Sequence, residues 1–600
     1  MNTLDRQTPR ALQPTLDQRL NIEYVRDAGT IHVFMNIHLD MKLKQQRIKM
    51  DLPKWLILWL FAVCQITIQL SLGAANQKPN IIFIAVDDMG NNDIGYNNPE
   101  VDTPNLDNLA NNGVILESNY VYPVCSPSRA AFMTGRYAHK IGFQRGPVEH
   151  KQPAYIESNY KTVAEKLTTN YGYAAHMIGK WHLGYCKDAV TPTNRGFDSF
   201  YGFYGGQENY YTYTSARYKD FRDNLTAVTP QNPNYPREDV DGYSTFEYKK
   251  RAIEIVGNHD KSVPLFLYLA FQAPHSPLQA PQELKDKYPG DWTYTDWDGS
   301  TKTTSRATFY AMVTAVDQAV GEVYTEMETQ GLLDNAIIVF TSDNGGQPSQ
   351  GGFNNPYRGA KGTFYEGGVR VPGFVYSKNL LTQSGYRHQG LLHASDWLPT
   401  FISLAGGSAD LTTDIDLTSI DGVDQTQMLL NNGESARSKI ILNIYDLERP
   451  STIYGIVKQY GPEVWKYVQG DIGRRGIVYT ATKSSRKRSN IQRLGRAEER
   501  TQRTINRKRT QKALTREHTQ RAINDKYLFA ISVDASETYN LYGDSASEIQ
   551  AIQADLEAEI EAEKLVAVPP MNPYDCSNPN NLLDGFWSAG PGEGWCGCSP

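Results

Sequence analysis

Cysteine is scarce in this chain, at six among 600 residues. A fold stapled by many disulfides is thereby excluded. Charge of one sign is lacking too: a net charge of −6 gives no basic excess of the kind that nucleic acid attracts. Long hydrophobic runs are missing apart from Trp55 to Leu72, and no internal repeat is found. What remains is the make-up of a soluble globular protein, hydrophobic 40% and charged 21%. The length exceeds one ordinary core, so two packed domains are expected. Gly 48 and Pro 31 imply many structured loops, as in large α/β enzymes.

The apolar run is preceded by Lys42, Lys44, Arg47, Lys49 and Lys54 and followed by Gly73-Ala74-Ala75. That order is the layout of a secretory signal peptide over 50–75, with a membrane anchor as the alternative. Met41 and Met50 are more ordinary starts than Met1, so 1–49 reads as a polar leader outside the mature protein. With Cys64 lost in the signal, a secretory route leaves Cys125, Cys186, Cys576, Cys596 and Cys598, and disulfides become possible. Asn224-Leu225-Thr226 is a glycosylation sequon.

Ile81–Val86, Pro264–Phe271 and Ala336–Thr341 are continuous apolar runs, as expected of strands buried on both faces of a parallel sheet. Each ends in polar residues: Asp87-Asp88, Gln272-Ala273-Pro274-His275, and Ser342-Asp343-Asn344. In an open α/β sheet the ligand site lies beyond the carboxyl ends of the strands, so these groups should share one rim. Helical spacing covers Thr103–Asn112, Lys161–Asn170, Thr245–Val256 and Ala307–Gln330. The alternation predicts a mainly parallel sheet flanked by helices over 76–425. Beyond it, 426–600 reads as a smaller α+β unit, with strands at Ile440–Tyr445 and Tyr527–Val533 and a helix at Ala546–Val566. Within it, 483–526 is strongly basic and free of aromatic residues, which reads as a solvated insertion, acidic-glycan binding being the functional alternative.

Asp87, Asp88, Asp343 and Asn344 offer oxygen donors only, a set suited to Ca²⁺ or Mg²⁺ rather than zinc. Cys125-Ser126-Pro127-Ser128-Arg129 puts a cysteine before Pro and Arg, which suit the start of a helix, where backbone N–H groups and a guanidinium favour an anion. In Gly179-Lys180-Trp181-His182-Leu183-Gly184, Lys180 and His182 point the same way if the chain is extended. His275 follows the third apolar run, and Lys361 lies in the glycine-bracketed stretch Arg358 to Gly368, where glycines permit close approach to a substrate.

Cys125 to Arg129, with Thr134-Gly135-Arg136 behind it, closely resembles the signature of the type I sulfatases. The Gly179 to Gly184 block, Ala273-Pro274-His275-Ser276-Pro277, the Lys361 stretch, Asp102-Thr103-Pro104-Asn105, Asn194 to Asp198 and Ser395 to Thr400 resemble other segments of that family. The resemblance implies an alkaline-phosphatase-like fold, one Ca²⁺ per chain held by Asp87, Asp88, Asp343 and Asn344 beside Cys125, and conversion of Cys125 to formylglycine by the formylglycine-generating enzyme of the endoplasmic reticulum. The hydrated aldehyde would attack sulfur. Arg129 and Lys180 would hold it, His275 and Lys361 would protonate the leaving alcohol, and His182 would help regenerate the aldehyde. Lysosome or secretion follows as the expected location, with a sulfated carbohydrate as partner and no nucleic acid.

Within the family, Tyr201-Gly202, Tyr268 to Gln272 and Ser395 to Thr400 are most similar to the N-acetylgalactosamine 4-sulfatase type (arylsulfatase B). Sulfated galactosamine of glycosaminoglycans is the implied substrate; another sulfated carbohydrate, or a glycan-binding pseudo-sulfatase without activity, is the alternative. One departure stands out. No cysteine occurs in Gly146 to Tyr160, so the family's usual partner for Cys186 is missing. Cys186, Cys576, Cys596 and Cys598 remain for two bridges of undetermined pairing. A phosphatase of the same superfamily is disfavoured because it needs Ser or Thr where Cys125 stands.

Overall fold

The structure, a computed structural model, describes residues 21–27, 30–36, 78–150, 152–215, 218–228, 242–296, 298–407, 420–445, 453–470, 472–473, 478–479, 481–483, 526–570, 582–583 and 586–587. The signal-like run, Cys64, Cys576, Cys596, Cys598 and nearly all of the basic stretch lie outside the described residues. Met1–Asn76 forms one unit, in which Asn21–Asp27 and Thr30–Asn36 pair antiparallel. Gln77–Pro600 forms the other, and everything below concerns it. Among the described residues no helix is long and apolar enough to cross a membrane.

The three apolar runs are the middle of a ten-stranded sheet. They are β1 (Asn80–Val86), β5 (Leu265–Ala270) and β6 (Ala336–Ser342), and every residue of each is buried. The other strands named here are β2 (Val114–Tyr120), β3 (Ala174–Lys180), β4 (Ser199–Phe203), β7 (Gly373–Tyr376) and β8 (Tyr386–His393). Beyond two short edge strands, Thr226–Ala227 and Arg222–Asp223, the order runs β4, β3, β5, β1, β6, β7, β2, β8. Five contiguous strands from β4 to β6 are parallel, while β7 runs antiparallel to both neighbours.

Continuous apolar sequence is required because both faces are covered, and successive side chains point to opposite sides. Ile81, Phe83 and Ala85 pack with Phe132 of helix α2 (Cys125–Thr134), which follows α1 (Pro104–Asn111), and with Trp397 and Phe401 of a later helix, Trp397–Leu404. Ile82, Ile84 and Val86 face the other way, toward Phe309, Met312 and Val316 of the long helix Arg306–Thr329 and Tyr248 of the helix Ser244–Asn258. The helix Val163–Tyr171 starts on a capping box in which Thr162 and Glu165 satisfy each other's backbone N–H.

The strand register is what builds the site. Ser342 pairs with Val86 and Ala270 with Ala85, so β1, β5 and β6 finish at one level. The Asp343 amide donates to the Val86 carbonyl (3.0 Å) and the Asp87 amide to the Ala273 carbonyl (3.3 Å), which ties the three emerging loops together.

A separate four-stranded antiparallel sheet follows: β9 (Lys439–Tyr445), β10 (Ile453–Tyr460), β11 (Glu463–Gly470) and β12 (Lys526–Ala530). One face buries Ile441, Ile456, Tyr467 and Leu528 under Ile552, Leu556 and Ile560 of helix Ser547–Lys564. The other packs Leu442, Val457, Val468 and Phe529 against Tyr120, Phe364 and Tyr365. The strand expected over Tyr527–Val533 stops at Ala530, where the chain turns and leaves Val533 82% exposed. Apolar content extended the reading past the last ladder pair, Trp465 with Ala530.

Candidate active site

Cys125 is the first residue of α2, after an extended Val124, and Gly135 ends the helix in the left-handed region at φ 64°. The helix start faces the carboxyl ends of β1, β5 and β6. The Cys125 Sγ lies 3.5 Å from Asp87 Oδ1 and 3.6 Å from Lys361 Nζ. Cys125 is the free cysteine among the described residues, and burial pushes its thiol up to about 12, with Asp87 adding to the shift. As an unmodified thiol it is therefore a poor nucleophile.

Around it, acids and bases alternate. Lys180 Nζ donates to Asp87 Oδ2 (2.5 Å), and Lys361 Nζ to Asp88 Oδ1 (2.5 Å). Arg129 reaches under the site: Nε and Nη2 each stand 2.8 Å from Asp343 Oδ2, Nη2 lies 3.8 Å from Asp87, and Nη1 donates to the Lys180 carbonyl (3.1 Å). His275 Nε2 approaches Asp88 Oδ2 at 3.8 Å, while its Nδ1 sits 2.6 Å from the Ser276 carbonyl. Burial opposes charge on Asp87, but Lys180, His275, Arg129 and Lys361 outweigh it and hold the carboxyl well below its usual range. Burial, with Asp87 close by, pushes Asp343 up to about 7 despite Arg129. His275 is held below the ordinary histidine value by burial and by Lys361.

Asp87, Asp88, Cys125 and His275 bring ligand atoms within 4.8 Å of one another, a group that could hold a metal ion. Asn344 donates to Asp88 Oδ1 (2.7 Å), and its own Oδ1 is buried with no hydrogen-bond partner. A buried carbonyl oxygen without a donor is costly unless a cation serves it, and an amide flip would turn that oxygen toward Asp88. Two ammonium groups already rest on Asp87 and Asp88. The residues fit a hard divalent ion: carboxylates and an amide oxygen dominate, with one imidazole at the edge.

The six residues expected to do chemistry thus divide. Cys125, Arg129, Lys180, Lys361 and His275 converge directly on Asp87 and Asp88. His182 arrives by another route. The Lys180–His182 stretch is not extended, because His182 adopts a left-handed backbone at φ 57°. Its Nε2 lies 2.8 Å from the Val148 carbonyl, its Nδ1 is buried without a partner, and its carbonyl accepts from Ser126 Oγ (2.9 Å). Burial and Lys180 keep the ring neutral, well below the usual value. Gly368, behind Lys361, lets the loop close on itself, since a Cβ there would meet the Thr363 carbonyl at 2.1 Å.

Cys186 is disulfide-bonded, as expected of one of the four cysteines left for bridges, and the other three, Cys576, Cys596 and Cys598, lie outside the described residues. Asp93 and Arg306 were missed altogether. Asp93 accepts from the Gly90 amide (2.9 Å) and the Phe353 amide (2.9 Å), and Arg306 Nη1 donates to it (3.1 Å), which braces the loop after Asp87-Asp88. The one available signal was an Asp six residues beyond the first of the pair.

The sulfatase family profile matches residues 79–408. Mouse arylsulfatase J is 40% identical over 62% of this chain and 59% of its own length. Mouse N-acetylgalactosamine-6-sulfatase is 31% identical over 55% of this chain and 63% of its own. The chain therefore spans about three-fifths of the curated relatives it matches. A solved structure, Ps i-CgsB, superposes with a TM-score of 0.61 at 28% identity, covering 82% of this chain and 94% of that one. A carboxylate rim at the strand ends, a cysteine opening a buried helix and a family match over the whole main sheet agree: this chain belongs to the sulfatase family.

Proposed function

We propose that this protein hydrolyses sulfate esters of sulfated sugars. The observation that carries the reading is the convergence of Cys125, at the start of α2, with Arg129, Lys180 and Lys361 on the Asp87-Asp88 rim. A sulfate ester is an anion whose leaving oxygen gains charge as its bond to sulfur breaks, so a catalyst must gather fixed positive charge around it. Three buried or half-buried cations and a helix start do so here.

Asp87, Asp88, Asp343 and Asn344 would hold one Ca²⁺, which supplies charge stabilisation on the sulfate and lowers the pKa of a neighbouring hydroxyl. Conversion of Cys125 to formylglycine, by a formylglycine-generating enzyme, would replace a thiol that burial keeps protonated with a hydratable aldehyde. Arg129 and Lys180 orient that side chain and neutralise the acids around it. Lys361 and His275, at the open side of the cluster, stand where a leaving alcohol must collect a proton. His182, neutral and with a buried Nδ1 that has no hydrogen-bond partner, would serve as the base when the aldehyde is regenerated. The substrate class is a sulfated sugar of the glycosaminoglycan type, N-acetylgalactosamine 4-sulfate first among them, met in a lysosome or outside the cell after passage through the secretory pathway.

Turnover of 4-nitrophenyl sulfate by protein made in a secretory host, with and without chelator, tests the reading. Activity that chelation removes and calcium restores supports it. A Cys125 peptide that carries only an intact thiol, together with no sulfate release from any of a panel of defined sulfated oligosaccharides, overturns it. Cys125→Ser should fold and bind calcium but lose multiple turnover by at least about 10³-fold.

A further inference from the structure

Lys361 has no secondary structure beneath it. It sits at the tip of the loop 358–368, which closes when the Gly367 amide donates to the Arg358 carbonyl (2.6 Å). At the tip, the Lys361 amide donates to the Gly346 carbonyl (3.1 Å) and the Gly362 amide to the Pro123 carbonyl (2.8 Å), two residues before Cys125. A loop of this kind holds a long side chain within a fraction of an ångström only if its base is fixed from outside.

The base is fixed by the C-terminal sheet. Lys466 of β11, fully buried, stands 2.9 Å from Glu366 Oε1 and 2.8 Å from Glu537 Oε1. Glu366 Oε2 accepts from Tyr120 Oη (2.8 Å). Glu537 reaches the loop twice more: its Oε2 accepts from the Glu366 amide (2.7 Å) and its carbonyl accepts from Arg358 Nη1 (2.7 Å). Phe364 N–H donates to the Ile472 carbonyl just beyond β11 (3.0 Å). Glu537 holds a left-handed backbone at φ 50°, a strained state for a non-glycine residue that the surrounding bonds over-determine.

We propose that Lys466 and Glu537 are positioning residues for Lys361: the C-terminal sheet, through this buried clamp, sets where the Lys361 ammonium stands relative to Cys125. The proposal rests on the sulfatase reading above for what Lys361 does, but the clamp itself is a statement about position. Lys466 and Glu537 lie on neither the metal rim nor the substrate side. They act on both ends of one loop, and that loop carries Lys361, whose ammonium lies 3.6 Å from Cys125 Sγ.

The test compares wild type with Lys466→Met, Lys466→Arg, Glu537→Gln and the double variant Lys466→Met/Glu537→Gln. Reductive methylation followed by peptide mass mapping reads Lys361 directly, with the exposed Lys261 as control. Lys361 should react at least about fivefold faster in Lys466→Met and Glu537→Gln, while Lys261 is unchanged. Turnover on two esters reads the consequence. If Lys361 serves the leaving oxygen, kcat should fall about 100-fold on a methyl-glycoside sulfate, whose alcohol leaves poorly, and about 10-fold or less on 4-nitrophenyl sulfate, with KM little changed. Lys466→Arg should recover part of the loss.

Unchanged Lys361 labelling, with both esters slowed equally and only in proportion to the folded fraction, overturns the proposal. If Lys466→Met fails to fold, Glu537→Gln, which keeps the Lys466–Glu366 pair, decides it by the same two readouts. If the wild type cleaves neither ester, the sulfatase reading is decided by the oligosaccharide panel and the Cys125 peptide, and the clamp stands or falls on the labelling alone.

Discussion

The rim of the main sheet and the clamp beneath the Lys361 loop are both buried clusters of acids and bases, yet they are finished differently. At the rim, Asn344 Oδ1 and His182 Nδ1 are buried without partners, and Asp343 is pushed up to about 7 by burial and by the neighbouring Asp87. At the clamp, Glu366 has both oxygens engaged, by Lys466 on one side and by Tyr120 and Arg370 on the other, and it stays below the ordinary carboxylate value despite burial because Lys466 and Arg370 face it. Glu537 is the exception at the clamp, for its Oε1 stands 2.8 Å from Lys466 yet is buried without a hydrogen bond, and burial pushes its carboxyl up to about 7; the contrast is therefore between Glu366, whose oxygens are both met, and the rim, whose open atoms can receive something.

That contrast can be broken by substitution. The largest effect belongs to the rim. Lys180→Met should lower kcat on an aryl sulfate about 10³-fold, since a charge aimed at the reacting group is lost; a loss smaller than tenfold would put Lys180 outside the chemistry. At the clamp the cost should appear as stability. Glu366→Leu takes from Lys466 and Arg370 the carboxylate they share, leaving Lys466 to Glu537 alone and Arg370 to the Glu117 carbonyl, and should lower unfolding free energy by about 3 kcal/mol, measured by urea denaturation. A drop under about 1 kcal/mol would mean the cluster is not closed as described.

A third test sharpens the role of burial away from both clusters. Asp317 accepts from the Leu106 amide and from Asn105, and burial pushes it from 3.8 to about 6. Its folded pKa is raised, so the folded protein binds this proton more tightly than the unfolded chain. The stabilisation is complete below the unfolded value and is lost as pH rises through about 6. Asp317→Asn removes that loss. The free-energy difference, variant minus wild type, should become more favourable by on the order of 2 kcal/mol between about pH 4 and pH 8. A flat difference across that range contradicts it. The smallest effect is expected on the surface, where Lys458 pairs with Asp555 (2.7 Å) and Glu559 (2.8 Å). Lys458→Ala should shift stability by less than about 1 kcal/mol, and still less at high salt.

Much of the main sheet was legible. The runs at Ile81, Pro264 and Ala336 became β1, β5 and β6 within a residue or two, because a strand covered on both faces must be apolar throughout. Helices were found from spacing with similar ends; the long one covers Arg306–Thr329 against an expected Ala307–Gln330. His182 was located by motif, but its left-handed backbone was not, since nothing local announces one at a histidine. Lys466 and Glu366 are 100 residues apart, and neither lies in a pattern that names the other.

By itself the sequence determined which strands are buried, which acids stand at their ends and which cysteine opens the helix that faces them, because period, composition and local motif are properties of short stretches. Tertiary structure alone decided the level at which the strands end, the turn of His182 and the grip of a distant sheet on the Lys361 loop. Those depend on register and on pairs of buried charges brought together only when the whole chain has closed.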